Sequence, residues 1–174
     1  MNRIKITLMG IIVILIAVNA CKKTDDNSPN EGETGTKVGQ IAPNFTLPDK
    51  SGNNISLDDY SNQYVVIDFW ASWCHFCRDE NPQLVSLYSK YKNKGVEIIG
   101  VSVDTNKNDW LNAVADDNIE YVQISDLLGF ESPVANTYGV INIPRMVLVH
   151  TSGTILLITG RASDIESYLE HRLN

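Results

Sequence analysis

The sequence predicts an α/β domain, a central mixed sheet flanked by helices and led by an N-terminal β-hairpin, and three observations carry that expectation. Two near-continuous apolar runs, Tyr64 to Trp70 and Val96 to Val103, have strand length and lack the alternation of a half-exposed strand, so both faces should be covered. Segments with apolar residues three and four apart separate the strands, as in a parallel sheet joined by helical crossovers. Short alternating segments around turn-rich loops open and close the domain and add antiparallel hairpins to the parallel core.

Taken in order, Phe45-Thr46-Leu47 and Ile55-Ser56-Leu57 flank the turn-rich stretch Pro48 to Asn54 and read as the leading hairpin. The strand Tyr64 to Trp70 runs into a helix from about Cys74 to Lys92, with Leu84, Leu87, Tyr88 and Tyr91 on its buried side and a kink expected at Pro82. After the strand Val96 to Val103, Trp110, Leu111 and Val114 mark a helix over 108–117, and Tyr121 to Ile124 returns as a short strand. Ser132-Pro133 supplies an N-cap and a proline at the first helical position, and Gly139 a stop, giving a short helix over 133–138. Met146 to Val149 and Ile155 to Thr159 form the terminal hairpin. Ser163-Asp164-Ile165-Glu166 has the form of a capping box and opens a last helix that buries Ile165, Leu169 and Leu173.

The N-terminus stands apart from this domain. Arg3 and Lys5 precede a 13-residue apolar stretch, Ile6 to Val18, then Asn19-Ala20-Cys21. That is shorter than the roughly 20 residues of a membrane-spanning helix but long enough for a signal-peptide core, so residues 1–20 read as an export signal. Val18-Asn19-Ala20-Cys21 resembles a bacterial lipobox, with Asn19 where a small residue is usual, which implies lipid on Cys21. An uncleaved anchor helix is the alternative; both leave the remainder exported and attached to the cell envelope, facing the periplasm or displayed at the surface. Residues 21–37 contain no apolar side chain after Cys21 and read as a lipidated flexible tether, leaving 38–174 as one folded domain. Without residues 1–20, which carry Arg3 and Lys5 and no acid, the net charge of −7 becomes −9, and nucleic acid is excluded as a partner class.

Of three cysteines, Cys21 is assigned to lipid, and Cys74 and Cys77 remain. A three-residue span does little to constrain an unfolded chain, so the pair reads as reactive rather than structural. On a first helical turn the two share a face, and Cys74 sits where unpaired backbone N–H groups favour a thiolate. Cys74 is thus the expected nucleophile and Cys77, one turn inside, the resolving thiol. His75, His150 and His171 do not supply zinc-ligand spacing, and the chemistry needs no metal or other cofactor.

Ala42-Pro43-Asn44-Phe45-Thr46-Leu47, the run Trp70 to Cys77, Glu80 with Pro82, Tyr138-Gly139-Val140 with Pro144, and Ser152-Gly153-Thr154-Ile155 occur in an order that resembles the thioredoxin-like oxidoreductases of the TlpA and ResA type. The resemblance covers about 39–174. It implies a thioredoxin-like fold and a tethered thiol–disulfide oxidoreductase that acts on thiols and disulfides of exported proteins and is re-reduced by a membrane thiol donor. It also implies that Pro144 is cis and faces the cysteines, with Ile143, Arg145, Trp73, His75 and Phe76 bordering a substrate groove. The plainer readings are an ordinary proline at a strand start and a solvated Arg145. Asp68 matches a buried acid of thioredoxin. In a dry site its pKa should rise, making it a proton acceptor for Cys77. Glu80 matches a glutamate of ResA-type relatives, one turn beyond Cys77, and reads either as a second proton carrier or as a solvated helix charge. His75-Phe76 departs from the family, which has proline at position 76. A protonated His75 would favour the Cys74 thiolate; a neutral, solvent-facing one would do little.

Two other classes compete. The segment Ala42 to Leu47 is shared with peroxiredoxins, but their threonine three residues before the reactive cysteine is Ala71 here. Alternatively, the thiolates of Cys74 and Cys77 could hold Cu(I) in a copper-handling or scaffold lipoprotein, with His150 as the candidate third group.

Overall fold

Of the expected elements, all are found and in the expected order, within about two residues at each boundary. The structure, a computed structural model, describes residues 32–173. The export signal and Cys21 lie outside the described residues, and among those described no helix is long and apolar enough to cross a membrane.

β1 (Thr46–Pro48) and β2 (Asn54–Ser56) form the leading antiparallel hairpin. The main sheet has β3 (Tyr64–Trp70) at its centre, β4 (Val96–Ser102) and β5 (Val122–Ile124) parallel on one side, and β6 (Arg145–Val149) and β7 (Ile155–Thr159) antiparallel on the other, in the order β5-β4-β3-β6-β7. The helices are α1 (His75–Tyr91), α2 (Lys107–Asp116), α3 (Pro133–Thr137) and α4 (Ala162–Leu173). β3 and β4 are buried along nearly their whole length, which is why neither alternates. The helical spacing on α1 holds as well: Leu84, Leu87 and Tyr91 are buried, with Tyr88 packed at their edge. Pro82 lies inside α1 and withholds the N–H that would meet the carbonyl of Arg78. Leu84 has no exposed surface, and Leu84→Ala is expected to destabilise the fold by about 2–5 kcal/mol in urea denaturation.

Three helices are capped at their N-termini, α3 by the expected Ser132. Cys74 is the N-cap of α1, Asn106 caps α2 through the N–H groups of Asn108 and Asp109, and Ser132 accepts from the N–H of Ala135 to open α3, which ends before Gly139 at φ 62°. At α4 the expected capping box is not what forms. The helix begins at Ala162, so Ser163 is already inside it, and Glu166 is drawn to Lys90 at 3.0 Å and Gln83 at 3.3 Å on α1. The first N–H of α4 is instead taken by Glu80 of α1, whose Oε2 accepts from Ala162 at 2.7 Å.

Because β3 and β4 are parallel and β6 runs back along β3, the C-terminal ends Trp70 and Ser102 and the start of β6 at Arg145 meet at one end of the sheet. The β6–β7 turn lies at the other. That far end receives the N-terminal side of the chain: Ile41 bridges Thr154, Ala42 donates to the Gly153 carbonyl, Gly39 donates to the Ile155 carbonyl, and Ile155 donates to the Gln40 carbonyl. Pairing continues back to Glu33, whose carbonyl accepts from Ile41, so residues 33–37, assigned by composition to the tether, are joined to the folded body.

Candidate active site

The loop between β3 and α1 carries the cysteines, and it is held from below. Ser72 donates through its N–H to Asp104 Oδ2 at 3.0 Å and through its hydroxyl to Asp104 Oδ1 at 2.6 Å. Asp104 follows β4, is almost fully buried, and also accepts from Ser102 Oγ at 2.7 Å. From the other side Arg78 donates to the Ser72 carbonyl at 3.3 Å while its guanidinium forks onto Asp117, with Nη2 to Oδ1 at 2.7 Å and Nε to Oδ2. Asn81 donates to the same Asp117 at 2.6 Å. Four residues of this support, Arg78, Asn81, Asp104 and Asp117, were not singled out from the sequence.

Cys74 and Cys77 are joined as a disulfide, S–S 2.09 Å with Cα atoms 5.2 Å apart. The two sulfurs are not equivalent. Cys74 Sγ accepts the N–H of Cys77 at 3.1 Å, a free first-turn donor of α1, whereas Cys77 sits deeper, at 2% exposure against 7%. Next to them in sequence Trp73 and Phe76 stand 60% and 72% exposed; in the segment before Pro144, Ile141 is 89% exposed. Trp73 leans on Phe130, ring centroids 6.2 Å apart. His75 also points to solvent, 3.6 Å from Asp79 one helical turn on, an exposed pairing that contributes little.

Asp68, six residues before Cys74, is buried completely in β3 and has no hydrogen-bond partner on either oxygen. Loss of hydration, with a smaller repulsion from Glu80, raises its pKa from 3.8 to about 7. Glu80 is half-buried and bound to the start of α4, so it is not a free solvated charge. The Ile143–Pro144 peptide is cis, and Pro144 precedes Arg145, the partner of Phe69 in β3, so it lies at the sheet end that carries the cysteines. Ile143 and Arg145 flank it half-buried. His150 is elsewhere: it sits in the far turn, bonded to Ser152 at 2.8 Å and edge-on to Tyr64.

Asp104 and Gln123 had a readable signal, being polar residues at or near the carboxyl ends of parallel strands, where α/β proteins gather functional groups. Asp117 had none, since its role depends on how α2 ends against α1.

Two unequal sulfurs on a first helical turn, Cys74 less enclosed than Cys77, with a buried acid of raised pKa in the preceding strand, can make and break a disulfide, and on this sheet that defines a thioredoxin-like thiol–disulfide oxidoreductase. The chain belongs to the AhpC/TSA family, whose family model matches residues 38–158. It is similar to the thiol-disulfide oxidoreductase ResA of Bacillus thuringiensis subsp. konkukian, 32% identical over 166 residues covering 94% of each chain, and to that of Bacillus subtilis, 30% identical over 156 residues covering 89% of this chain and 84% of the relative. Among solved structures it resembles the thioredoxin domain of a thiol-disulfide oxidoreductase from Bacteroides vulgatus, TM-score 0.74 at 33% identity, over 79% of this chain and 99% of that one. The protein is a thiol–disulfide oxidoreductase with Cys74 and Cys77 as its redox pair.

Proposed function

We propose that the protein is held at the bacterial cell envelope by lipid on Cys21 and exchanges disulfides with exported proteins through Cys74. The inequality of the two sulfurs carries this reading: Cys74 has the free helix-turn donor and the exposed apolar surroundings, and Cys77 is enclosed. Trp73, Phe76 and Ile141 give a client polypeptide an apolar surface beside the reacting sulfur, with Ile143, Pro144 and Arg145 along its border. Residues 33–42 join the body at the sheet end opposite the cysteines, an arrangement that turns the redox pair away from an N-terminal anchor.

The cycle begins from the dithiol. The Cys74 thiolate attacks one sulfur of a client disulfide, and the client's other sulfur leaves as a thiolate and takes up a proton. Cys77 gives its proton to the Asp68 carboxylate and attacks Cys74 Sγ; the bond between Cys74 and the client breaks, and the second client sulfur leaves and is protonated. The client has gained two electrons and the Cys74–Cys77 disulfide is the oxidised product. A membrane dithiol donor restores the starting state by the same exchange in reverse.

Trapping tests this. In Cys77→Ala the mixed disulfide on Cys74 has no resolving thiol, so exported proteins are expected to accumulate on Cys74 as species released by reductant. If only cytosolic proteins or none are captured, while the purified parent still reduces a model disulfide, the assignment of clients is wrong and the chemistry stands.

A further inference from the structure

Asp68, Gly100 and Gln123 are register neighbours across three parallel strands, Asp68 opposite Gly100 in β3 and β4, Gly100 opposite Gln123 in β4 and β5. Residues in register share a face of the sheet, and so do residues two apart in one strand, so Trp70 and Tyr121 stand on that face too. Gln123 does not stop at its own strand. It crosses β4 and accepts at Oε1 the indole N–H of Trp70 on β3, at 3.0 Å. The crossing is possible because position 100 has no side chain: a Cβ there would fall 2.2 Å from Gln123 Nε2 and 2.6 Å from Oε1. Since indole nitrogen only donates, Oε1 is fixed toward Trp70 and Nε2 is the end left over. Nε2 is buried and without a partner, as are both oxygens of Asp68. A free donor and a free acceptor therefore flank one glycine in the same dry layer, each costly to leave alone.

We propose that Gln123 is a positioning residue for Asp68: its amide N–H, aimed by the bond to Trp70 and seated over Gly100, is the donor that the Asp68 carboxylate takes up when it ionises. This rests on the proton-carrier role given to Asp68 above and adds a donor that favours its charged form, a buried anion being costly to leave unpaired. Of the other groups around Asp68, one more can donate. From α1, Glu80 is an acid whose charge opposes ionisation, and Cys77 is the proton source. Just before β5, Tyr121 is buried with its hydroxyl also unpartnered, and loss of hydration, then Asp68 and Asp117, push its pKa well up, so it stays an O–H able to donate beside the amide; Gln123→Met reads the amide's share. β6 offers Met146, and α4 reaches the region through the Ala162 N–H already held by Glu80.

The test is a pH titration of the oxidised full domain by NMR, following the side-chain carboxyl carbon of Asp68 and the indole N–H of Trp70. In the parent both signals should move together in one transition near neutral pH, and the indole transition should vanish in Asp68→Asn. In Gln123→Met the Asp68 carboxyl midpoint should rise by about one pH unit or more, as for a carboxylate deprived of a hydrogen-bond donor. Gly100→Ala should raise it similarly by unseating an intact amide; if that variant does not fold, Gln123→Met decides alone. An Asp68 midpoint unmoved in Gln123→Met, with a folded spectrum, overturns the proposal. The proton-carrier reading fails separately, if Asp68→Asn leaves the rate of mixed-disulfide resolution unchanged from pH 6 to 9.

Discussion

At pH 8, Asp68→Asn is expected to be more stable than the parent by up to ~4 kcal/mol and slower to resolve a mixed disulfide by about a hundredfold or more. The stability term follows from burial. In the folded protein the carboxyl keeps its proton up to about 7, while the exposed chain loses it near 3.8. Between those values the folded state binds more protons than the unfolded one, so stability falls as pH rises. The contribution of the protonated acid is complete below about 3.8 and gone once pH has passed about 7. Asparagine carries no charge to bury, so the variant lacks this fall. Urea denaturation of both oxidised proteins at pH 4 and pH 8 reads the effect as a difference of differences, in which every other titrating group cancels. The kinetic term has the opposite sign for fitness: with no carboxylate to receive the Cys77 proton, resolution should lose its rise around neutral pH. Gain of stability with loss of rate is the mark of a functional buried acid; gain of stability with an unchanged pH–rate profile would make Asp68 a burden with no catalytic return.

The parts of this fold that local chemistry decides were legible in the sequence. Ser132-Pro133 and Gly139 bounded α3 because a cap, a preset φ and a left-handed stop act within a few residues, and Tyr64 to Trp70 was recognisable because a strand covered on both faces has no alternation to hide. Asp68 stood out because it interrupts such a run. What escaped depends on distant partners. Ser163 to Glu166 satisfies every local requirement of a capping box, yet Lys90 and Gln83 on α1 draw Glu166 away and Glu80 occupies the Ala162 N–H, contacts spanning some 80 residues. The pairing of Glu33 and Gly35 with Ile41 was hidden for a similar reason: residues 33–37 are polar, and backbone pairing needs no apolar side chain. Arg78, Asn81 and Asp117 are unremarkable surface types until α1 and α2 pack and set a guanidinium, an amide and a carboxylate around one another.

Asp104→Ala is expected to cost about 4 kcal/mol and to lower the melting temperature by about 10 °C or more, although Asp104 touches neither cysteine. Its two oxygens hold three donors, the Ser72 N–H, the Ser72 hydroxyl and the Ser102 hydroxyl, at 3.0, 2.6 and 2.7 Å. Alanine leaves all three unpaired around a cavity in a buried layer, and hydrogen bonds to a charged acceptor are worth about 1.5–3 kcal/mol each before their mutual dependence is counted. The consequence for chemistry travels two residues. Ser72 precedes Trp73 and Cys74, so releasing it frees the segment that sets Cys74 at the first turn of α1, where its sulfur meets the Cys77 N–H. Reduction of a model disulfide should slow along with the loss of stability. Asp104→Asn separates charge from geometry: one amide oxygen still accepts from Ser72 and the NH2 group can donate to Ser102 Oγ, so it should recover part of both losses. Calorimetry and a disulfide-reduction assay on the two variants decide it. A melting temperature for Asp104→Ala within 2 °C of the parent would mean that Arg78, through the Ser72 carbonyl at 3.3 Å, suffices to hold the loop.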